Sequence, residues 1–277
     1  MKLKGWLKEA KGKVSSIDAE LIAVAAFGFV GRTDIVLHWD DEYDTTKADK
    51  LVEKRISGMP MAYILGYKEF YGREFIVNPS VLIPRPETES IITSVLGIID
   101  VEKLKDVTIV DVGTGSGCIP ITLKLELNSE DVLSDISAVD ISESALETAQ
   151  ENATKLLADV KFFRSDLLSE VEGLPDIITA NLPYVDMSWD WTSPDLKFEP
   201  ALALYAEDGG LIYINKLIDD VHERRMKEIE ESAASDMASR FLILEADTSQ
   251  HDIIIEYAKE RKFELISKDD FIITFRY

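Results

Sequence analysis

Val107-Thr108-Ile109-Val110-Asp111-Val112 runs directly into Gly113-Thr114-Gly115-Ser116-Gly117, and the reading of this junction decides the fold. A nearly unbroken β-branched run is what a strand covered on both faces looks like. Three glycines after it let the backbone approach a ligand closely, with amides of the next helix, expected to about Leu127, aimed at that ligand. Outward from this unit the alternation repeats. Residues 136–140 read as a second strand, Ser142 as the cap of a helix to about Leu157, and 160–163 as a third strand. Ile177-Ile178-Thr179-Ala180 is the fourth and runs into a polar turn, Asn181-Leu182-Pro183-Tyr184, with a helix from about Gly210 to Lys227 after it. Residues 241–245 form a fifth strand, followed by a helix over about Gln250 to Arg261. Strands alternating with helices imply a parallel, doubly wound α/β sheet. The final runs, 263–267 and 271–275, have no helix between them and are expected as an antiparallel pair at the sheet edge.

Upstream the texture differs. From Met1 to about Ser57 the pattern is helical: Ser16 offers an N-cap before Ile17-Asp18-Ala19-Glu20, and Leu21, Ile22, Val24, Ala25 and Phe29 make an apolar face. A second helix starts at Thr45 or Thr46 and is stopped by Gly58 and Pro60. Residues 63–83 carry aromatic and β-branched residues around Gly72, which suggests a hairpin. Pro86 opens a further helix through Ile91, Ile92, Val95 and Leu96. The expected division is a helical domain over 1–60 that docks substrate, a hairpin connector over 61–84, and an α/β domain over 85–277.

Composition narrows the functional classes. With 277 residues, 46% of them hydrophobic, the chain supports one large domain and a small one. No apolar run reaches the roughly 18 to 20 residues needed to cross a bilayer, and the opening residues lack the apolar stretch of a signal peptide. A cytoplasmic protein with no membrane partner is expected. Cys118 is the sole cysteine, and His38, His222 and His251 stand at unrelated spacings, so neither a disulfide nor a metal cluster is expected. The formal charge of −22 argues against binding nucleic acid, because that affinity rests on neutralising phosphates.

The glycine-rich turn lies at the carboxyl end of a strand, where open α/β sheets bind ligands. Its spacing departs from the dinucleotide fingerprint: the third glycine arrives one residue early and Cys118 takes the place of the last. A nucleoside carrying a carboxylate suits it better than a diphosphate. Asp140 closes the second strand, where an acid can accept both ribose hydroxyls. Asp166 follows the third strand, placed to take an adenine amino proton while Leu167 packs on the ring. At the fourth strand, Pro183 lacks an N–H and biases Leu182 toward extended angles, so carbonyls there can face a ligand. Asn181 adds a side-chain acceptor and Tyr184 an aromatic face. Such a turn suits a planar, uncharged –NH2 group.

Taken together, Asp111 to Gly117, Asp140, Ser165-Asp166 and Asn181-Leu182-Pro183-Tyr184 resemble a class I S-adenosylmethionine-dependent methyltransferase of the amino-methylating kind. Tyr63-Ile64-Leu65-Gly66, residues 70–75, Pro84-Arg85-Pro86-Glu87-Thr88-Glu89 and residues 198–204 narrow the resemblance to the HemK-type release-factor glutamine methyltransferases. The similarity covers nearly the whole chain and is weakest in the first fifty residues. It implies a Rossmann-like seven-stranded sheet with an antiparallel edge hairpin and a small N-terminal helical domain. It also implies S-adenosylmethionine bound by Gly113, Thr114, Gly115, Ser116, Gly117, Asp140, Asp166 and Leu167. The reaction implied is methylation of the glutamine side-chain amide in the Gly-Gly-Gln motif of peptide chain release factors. Separately from the resemblance, a monomer is expected. The substrate amide would be held by Asn181, Leu182, Pro183 and Tyr184, with Asn181 as the catalytic residue. The family usually has Asn-Pro-Pro-Tyr, and Leu182 replaces the first proline; a modest loss of rigidity is expected. Pro120, also unusual, is sterically tolerable in a first helical turn. The rival readings are a ribosomal-protein glutamine methyltransferase, an adenine N6-methyltransferase, and a non-catalytic scaffold that binds release factor or ribosome.

Overall fold

A computed structural model describes residues 1–189, 195–232 and 239–277. The chain packs as two units, one of residues 1–67 with the described part of segment 192–198, the other holding the rest.

The first unit is helical: α1 (Leu3–Ala10), α2 (Ser16–Phe27), α3 (Arg32–Leu37), α4 (Thr46–Ile56) and α5 (Met61–Leu65). Its core is built from Leu3, Trp6, Leu7, Ile22, Val52 and Ile64, among others. Trp6 Nε1 donates to Asp49 Oδ1 at 2.7 Å, which satisfies the one polar atom of a buried indole. The cap of α2 is Ser15, whose hydroxyl accepts the Asp18 N–H. The expectation of Ser16 is off by one, because the helix begins at Ser16 itself and the cap stands before it. Tyr63, Ile64 and Leu65, read with the connector, are helical, and Ile64 is part of this core.

The second unit begins at Lys68, within the hairpin of β1 (Tyr67–Phe70) and β2 (Arg73–Ile76). Its turn is Tyr71-Gly72, and Phe70 and Phe75 stack edge to face with ring centroids 6.0 Å apart. A 3₁₀ turn (Pro86–Thr88) leads into α6 (Glu89–Glu102). The main alternation then runs β3 (Asp106–Val112), α7 (Cys118–Ser129), β4 (Leu133–Asp140), α8 (Glu143–Leu156), β5 (Lys161–Arg164) and β6 (Ile177–Ala180). Two short paired strands follow, β7 (Val185–Asp186) and β8 (Tyr205–Ala206), flanking the single-turn α9 (Ala201–Leu204). The chain ends with α10 (Ile212–Ser232), β9 (Phe241–Glu245), α11 (His251–Glu260), β10 (Glu264–Asp269) and β11 (Ile272–Arg276).

Seven strands form one sheet in the order β10-β11-β9-β6-β3-β4-β5. β3, β4, β5, β6 and β9 are parallel, while β11 runs antiparallel to both its neighbours. Alternate residues of each central strand enter different cores. Ile109, Ile177, Phe241 and Ile243 join one cluster with α6 and α7; Val110, Ile178, Leu242 and Leu244 join the other with α10 and α11. Both faces are therefore apolar, which is why these strands lack a polar period. The winding reverses between β3 and β6, so their carboxyl ends leave a crevice between them.

Asn152, fully buried on α8, ties this crevice to the hairpin. Its Oδ1 accepts the Ile76 N–H at 2.6 Å, and its Nδ2 donates to the carbonyls of Ile76 and Ser116 at 3.0 and 2.9 Å. Asn152→Ala leaves three backbone groups without that partner, and a loss of about 3 kcal/mol in urea unfolding is expected. A loss below about 0.5 kcal/mol would mean that water replaces the side chain.

Candidate active site

The crevice at the β3/β6 switch point is lined by Gly113, Thr114, Gly115 and Ser116 from the turn after β3, and by Asp140, Asp166 and Leu167 from the ends of β4 and β5. Asn181, Leu182 and Pro183 after β6 line it as well. Ten of the twelve residues singled out from sequence thus converge. Gly117 and Tyr184 are not among the lining residues: Gly117 caps α7, and the Tyr184 side chain turns to a buried partner described below. Segments distant in sequence complete the wall, Pro84, Arg85 and Thr88 on one side and Pro200, Leu202 and Ala203 on another. They are joined by Glu199, whose Oε2 accepts the Ile83 N–H at 3.1 Å and whose Oε1 accepts from Arg85 Nη2 at 2.6 Å.

Gly113 adopts φ 75°, and a Cβ there would lie 2.9 Å from Leu182 Cδ2. The bare Cα is what allows the two turns to touch. Leu182 is 5% exposed, so in place of a rigid proline this chain uses an apolar anchor buried against the glycine turn. Most turn amides are satisfied internally. Those of Gly113 and Thr114 donate to the Val139 carbonyl, Gly117 to the Thr114 carbonyl, and Gly115 to Asp140 Oδ2 at 2.9 Å. Expected donors to a ligand are therefore spent holding the turn, which presents mainly close-approach Cα surface. Asp140 Oδ1 accepts the Ser142 N–H, and burial raises this carboxyl against the hydrogen bonds it receives. The Asp166 carboxylate takes no hydrogen bond among the described residues, and its loop is stapled by the Ser165 hydroxyl to Leu167 and Glu170.

The turn after β6 is held from three directions. Asn181 Nδ2 donates to Thr88 Oγ1 at 3.1 Å. The Tyr184 hydroxyl donates to Glu245 Oε1 at 3.2 Å. Gln250 Nε2 clamps the Tyr184 and Gly209 carbonyls, each at 2.8 Å. Gly210, with φ 82°, packs so closely that a Cβ would meet the Tyr184 carbonyl oxygen at 2.0 Å. With its NH2 engaged by Thr88, the Asn181 carbonyl oxygen is left for the crevice. Asn181 and Leu182 both line this part of the crevice, and an amide oxygen and a backbone carbonyl are acceptors, the kind of group that receives an –NH2.

Thr88, Glu245 and Gln250 escape a reading by strand and turn, since their contacts span 61 to 93 residues. A signal existed for Glu245: it ends a buried strand with an acid, as Asp140 does.

Asp111, fully buried, accepts the Thr179 hydroxyl at 2.7 Å on Oδ1, while Oδ2 makes no hydrogen bond of full geometry among the described residues, although the Thr114 hydroxyl lies near enough to oppose protonation. Burial pushes it from its ordinary 3.8 up to about 7. The folded state therefore keeps a proton that the unfolded chain has released, and this group's contribution to stability is lost as pH rises between those values. In Asp111→Asn the loss is absent. The melting temperature of that variant relative to wild type should climb from pH about 5 to about 8; a pH-independent difference would contradict the assignment.

Comparison with known proteins gives a consistent set of likenesses. Residues 93–244 match the family described as Methyltransferase small domain, and residues 4–66 the PrmC N-terminal domain. A release factor glutamine methyltransferase of Nitratidesulfovibrio vulgaris is 36% identical over 265 residues, covering 86% of each chain. One from Neisseria gonorrhoeae is 42% identical over 184 residues, and the match spans 64% of this chain and 64% of that relative's length. Among solved structures, a T. thermophilus 16S rRNA methyltransferase in complex with AdoMet and guanosine shares the fold. Its TM-score is 0.51 at 12% identity, over 76% of this chain and 48% of that one.

Proposed function

The chain belongs to the release factor glutamine methyltransferase family, and on that premise we propose that it methylates the side-chain amide nitrogen of the glutamine in the Gly-Gly-Gln motif of a peptide chain release factor, with S-adenosylmethionine as donor. The observation that carries this reading is the Asn181 amide, tied through its NH2 to Thr88 with its oxygen left for a crevice that acids and a glycine turn also line.

The donor set fits the cofactor. The turn of Gly113 to Ser116 offers a surface without Cβ atoms at Gly113 and Gly115. Asp140 keeps lone pairs beyond the two amides it accepts, and Asp166 is an uncommitted acceptor beside Leu167. These residues would hold its ribose and adenine. When bound, S-adenosylmethionine supplies an electrophilic methyl on a sulfonium sulfur.

A carboxamide nitrogen shares its lone pair with its carbonyl, so it needs placement more than it needs a strong base. Asn181 Oδ1 and the Leu182 carbonyl accept its two hydrogens and orient it. Both acceptors bind more strongly as the nitrogen gains positive charge, so they favour the transition state over the ground state. Pro183 keeps the Leu182 carbonyl from joining a helix, and the Leu182 side chain anchors it under Gly113. The surplus proton on nitrogen leaves to solvent.

Tandem mass spectrometry of a release factor incubated with this chain and S-adenosylmethionine tests the reading. The expected result is a gain of one methylene located on the Gly-Gly-Gln glutamine; an unmodified release factor alongside a methylated ribosomal protein or nucleic acid would replace it. Asn181→Ala should bind S-adenosylmethionine as wild type does in calorimetry, yet lose roughly a hundredfold or more in kcat. Retained turnover in that variant would remove Asn181 from the mechanism.

A further inference from the structure

Glu245 is the last residue of β9, which lies beside β6 in the sheet, and it is 1% exposed. Buried carboxyls normally have their acceptors filled. Here Tyr184 donates to Oε1 at 3.2 Å, and the Thr88 hydroxyl and the Asn181 amide, bonded to each other at 3.1 Å, lie near enough to favour the ionised carboxyl. Even so, Oε2 makes no hydrogen bond of full geometry among the described residues. The group does not line the crevice, yet all three of its neighbours belong to the machinery that holds the substrate-facing turn.

An asparagine amide can be seated in two ways, related by turning it over, and its surroundings choose between them. A carboxylate can only accept. An ionised Glu245 therefore draws the Thr88 hydroxyl hydrogen and the Asn181 NH2 toward itself. Thr88 Oγ1 is then left as an acceptor, in keeping with the 3.1 Å bond that it receives from Asn181 Nδ2. We infer that Glu245 is a positioning residue: as a carboxylate it sets the direction of the Glu245–Thr88–Asn181 hydrogen-bond chain and so keeps the Asn181 oxygen, not its NH2, facing the substrate amide. The role in turnover rests on the methyl-transfer reading above; the orientation of Asn181 does not.

A protonated Glu245 is a donor and lets the chain run the other way. Asn181 would then offer NH2 to a substrate NH2, and no bond would form. Burial pushes Glu245 up to about 7, with the charge of Glu87 adding to that and the Thr88, Tyr184 and Asn181 hydrogens opposing it. Asp111 on β3, also pushed up to about 7 by burial, titrates in the same range and is left intact in Glu245→Gln. The further ionisable groups at this point are the Tyr184 phenol, raised by burial and by Glu245, and the Cys118 thiol, pushed up to about 12 by burial. Both stay neutral near pH 7, while Arg85 and Asp247 act on Tyr184 in opposite directions. The ionised, correctly directed form is lost as pH falls.

Glu245→Gln keeps the size of the side chain but can donate as well as accept. In the full chain, wild-type kcat on a release factor should fall as pH drops below about 7. Glu245→Gln should lower kcat roughly ten- to a hundredfold and lack that acid limb, with KM for S-adenosylmethionine within about twofold of wild type. Thr88→Val should behave likewise, and Thr88→Ser, which keeps the hydroxyl, should retain most of the turnover. Without any substrate, the Asn181 side-chain amide resonances should titrate near neutral pH in wild type and not in Glu245→Gln. Wild-type turnover and acid limb in Glu245→Gln, or amide resonances indifferent to pH in the wild-type protein, would overturn the inference. If wild type fails to methylate release factor, the functional reading falls, and the resonance titration alone decides the role of Glu245.

Discussion

Everything at the crevice depends on the complete burial of β6 between β3 and β9. Ile177, Ile178, Thr179 and Ala180 are all enclosed, and their backbone groups have only the ladders to β3 and β9 as partners. Leaving one such group unpaired costs about 1–3 kcal/mol, so neither register can slip. The strand therefore delivers Asn181 to a fixed point beside Gly113, because Ala180 pairs with Val112 on one side and Leu244 on the other. Placement of a weak nucleophile is a demand for rigidity, and a strand buried and paired on both sides in the centre of a parallel sheet supplies it.

Three acids close buried strands or lie within them, and their surroundings give them different uses. Asp111 is sealed against Thr179 and serves the sheet. Asp140 spends acceptor capacity on Gly115 and Ser142, which shapes the turn it shares with the crevice. Glu245 gathers hydrogens from the residues that orient Asn181. In each case burial raises the proton affinity, and hydrogen bonds hold it down. The same side-chain chemistry thus becomes structural, shaping or orienting according to which donors the topology brings to it.

Much of this was legible before any coordinates. A run such as Val107 to Val112 carries its own evidence, since two buried faces leave no polar period, and Gly113 announces a position where a side chain would collide. The edge pair was readable because no helix could fit between 263–267 and 271–275. Short helices were not: α3 and α5 have six and five residues, too few for a 3.6-residue period to stand out. The boundary near residue 60 likewise rested on Gly58 and Pro60, while Ile64 packs with the helices before it. Nor could sequence pair Thr88 with Asn181 or Gln250 with Tyr184, since those bonds are made by folding rather than by neighbouring residues. For Tyr184 the sequence offered an aromatic face, and the structure adds that its hydroxyl donates to Glu245.

The central claim is that two acceptors at the end of β6 orient a carboxamide. The most direct measurement is a crystal structure of the full chain with S-adenosylhomocysteine and a glutamine-containing release factor. The account predicts the glutamine Nε2 within about 3 Å of both Asn181 Oδ1 and the Leu182 carbonyl oxygen, with nitrogen facing the sulfur. A glutamine amide seated elsewhere, or one whose carbonyl oxygen meets Asn181, would contradict it.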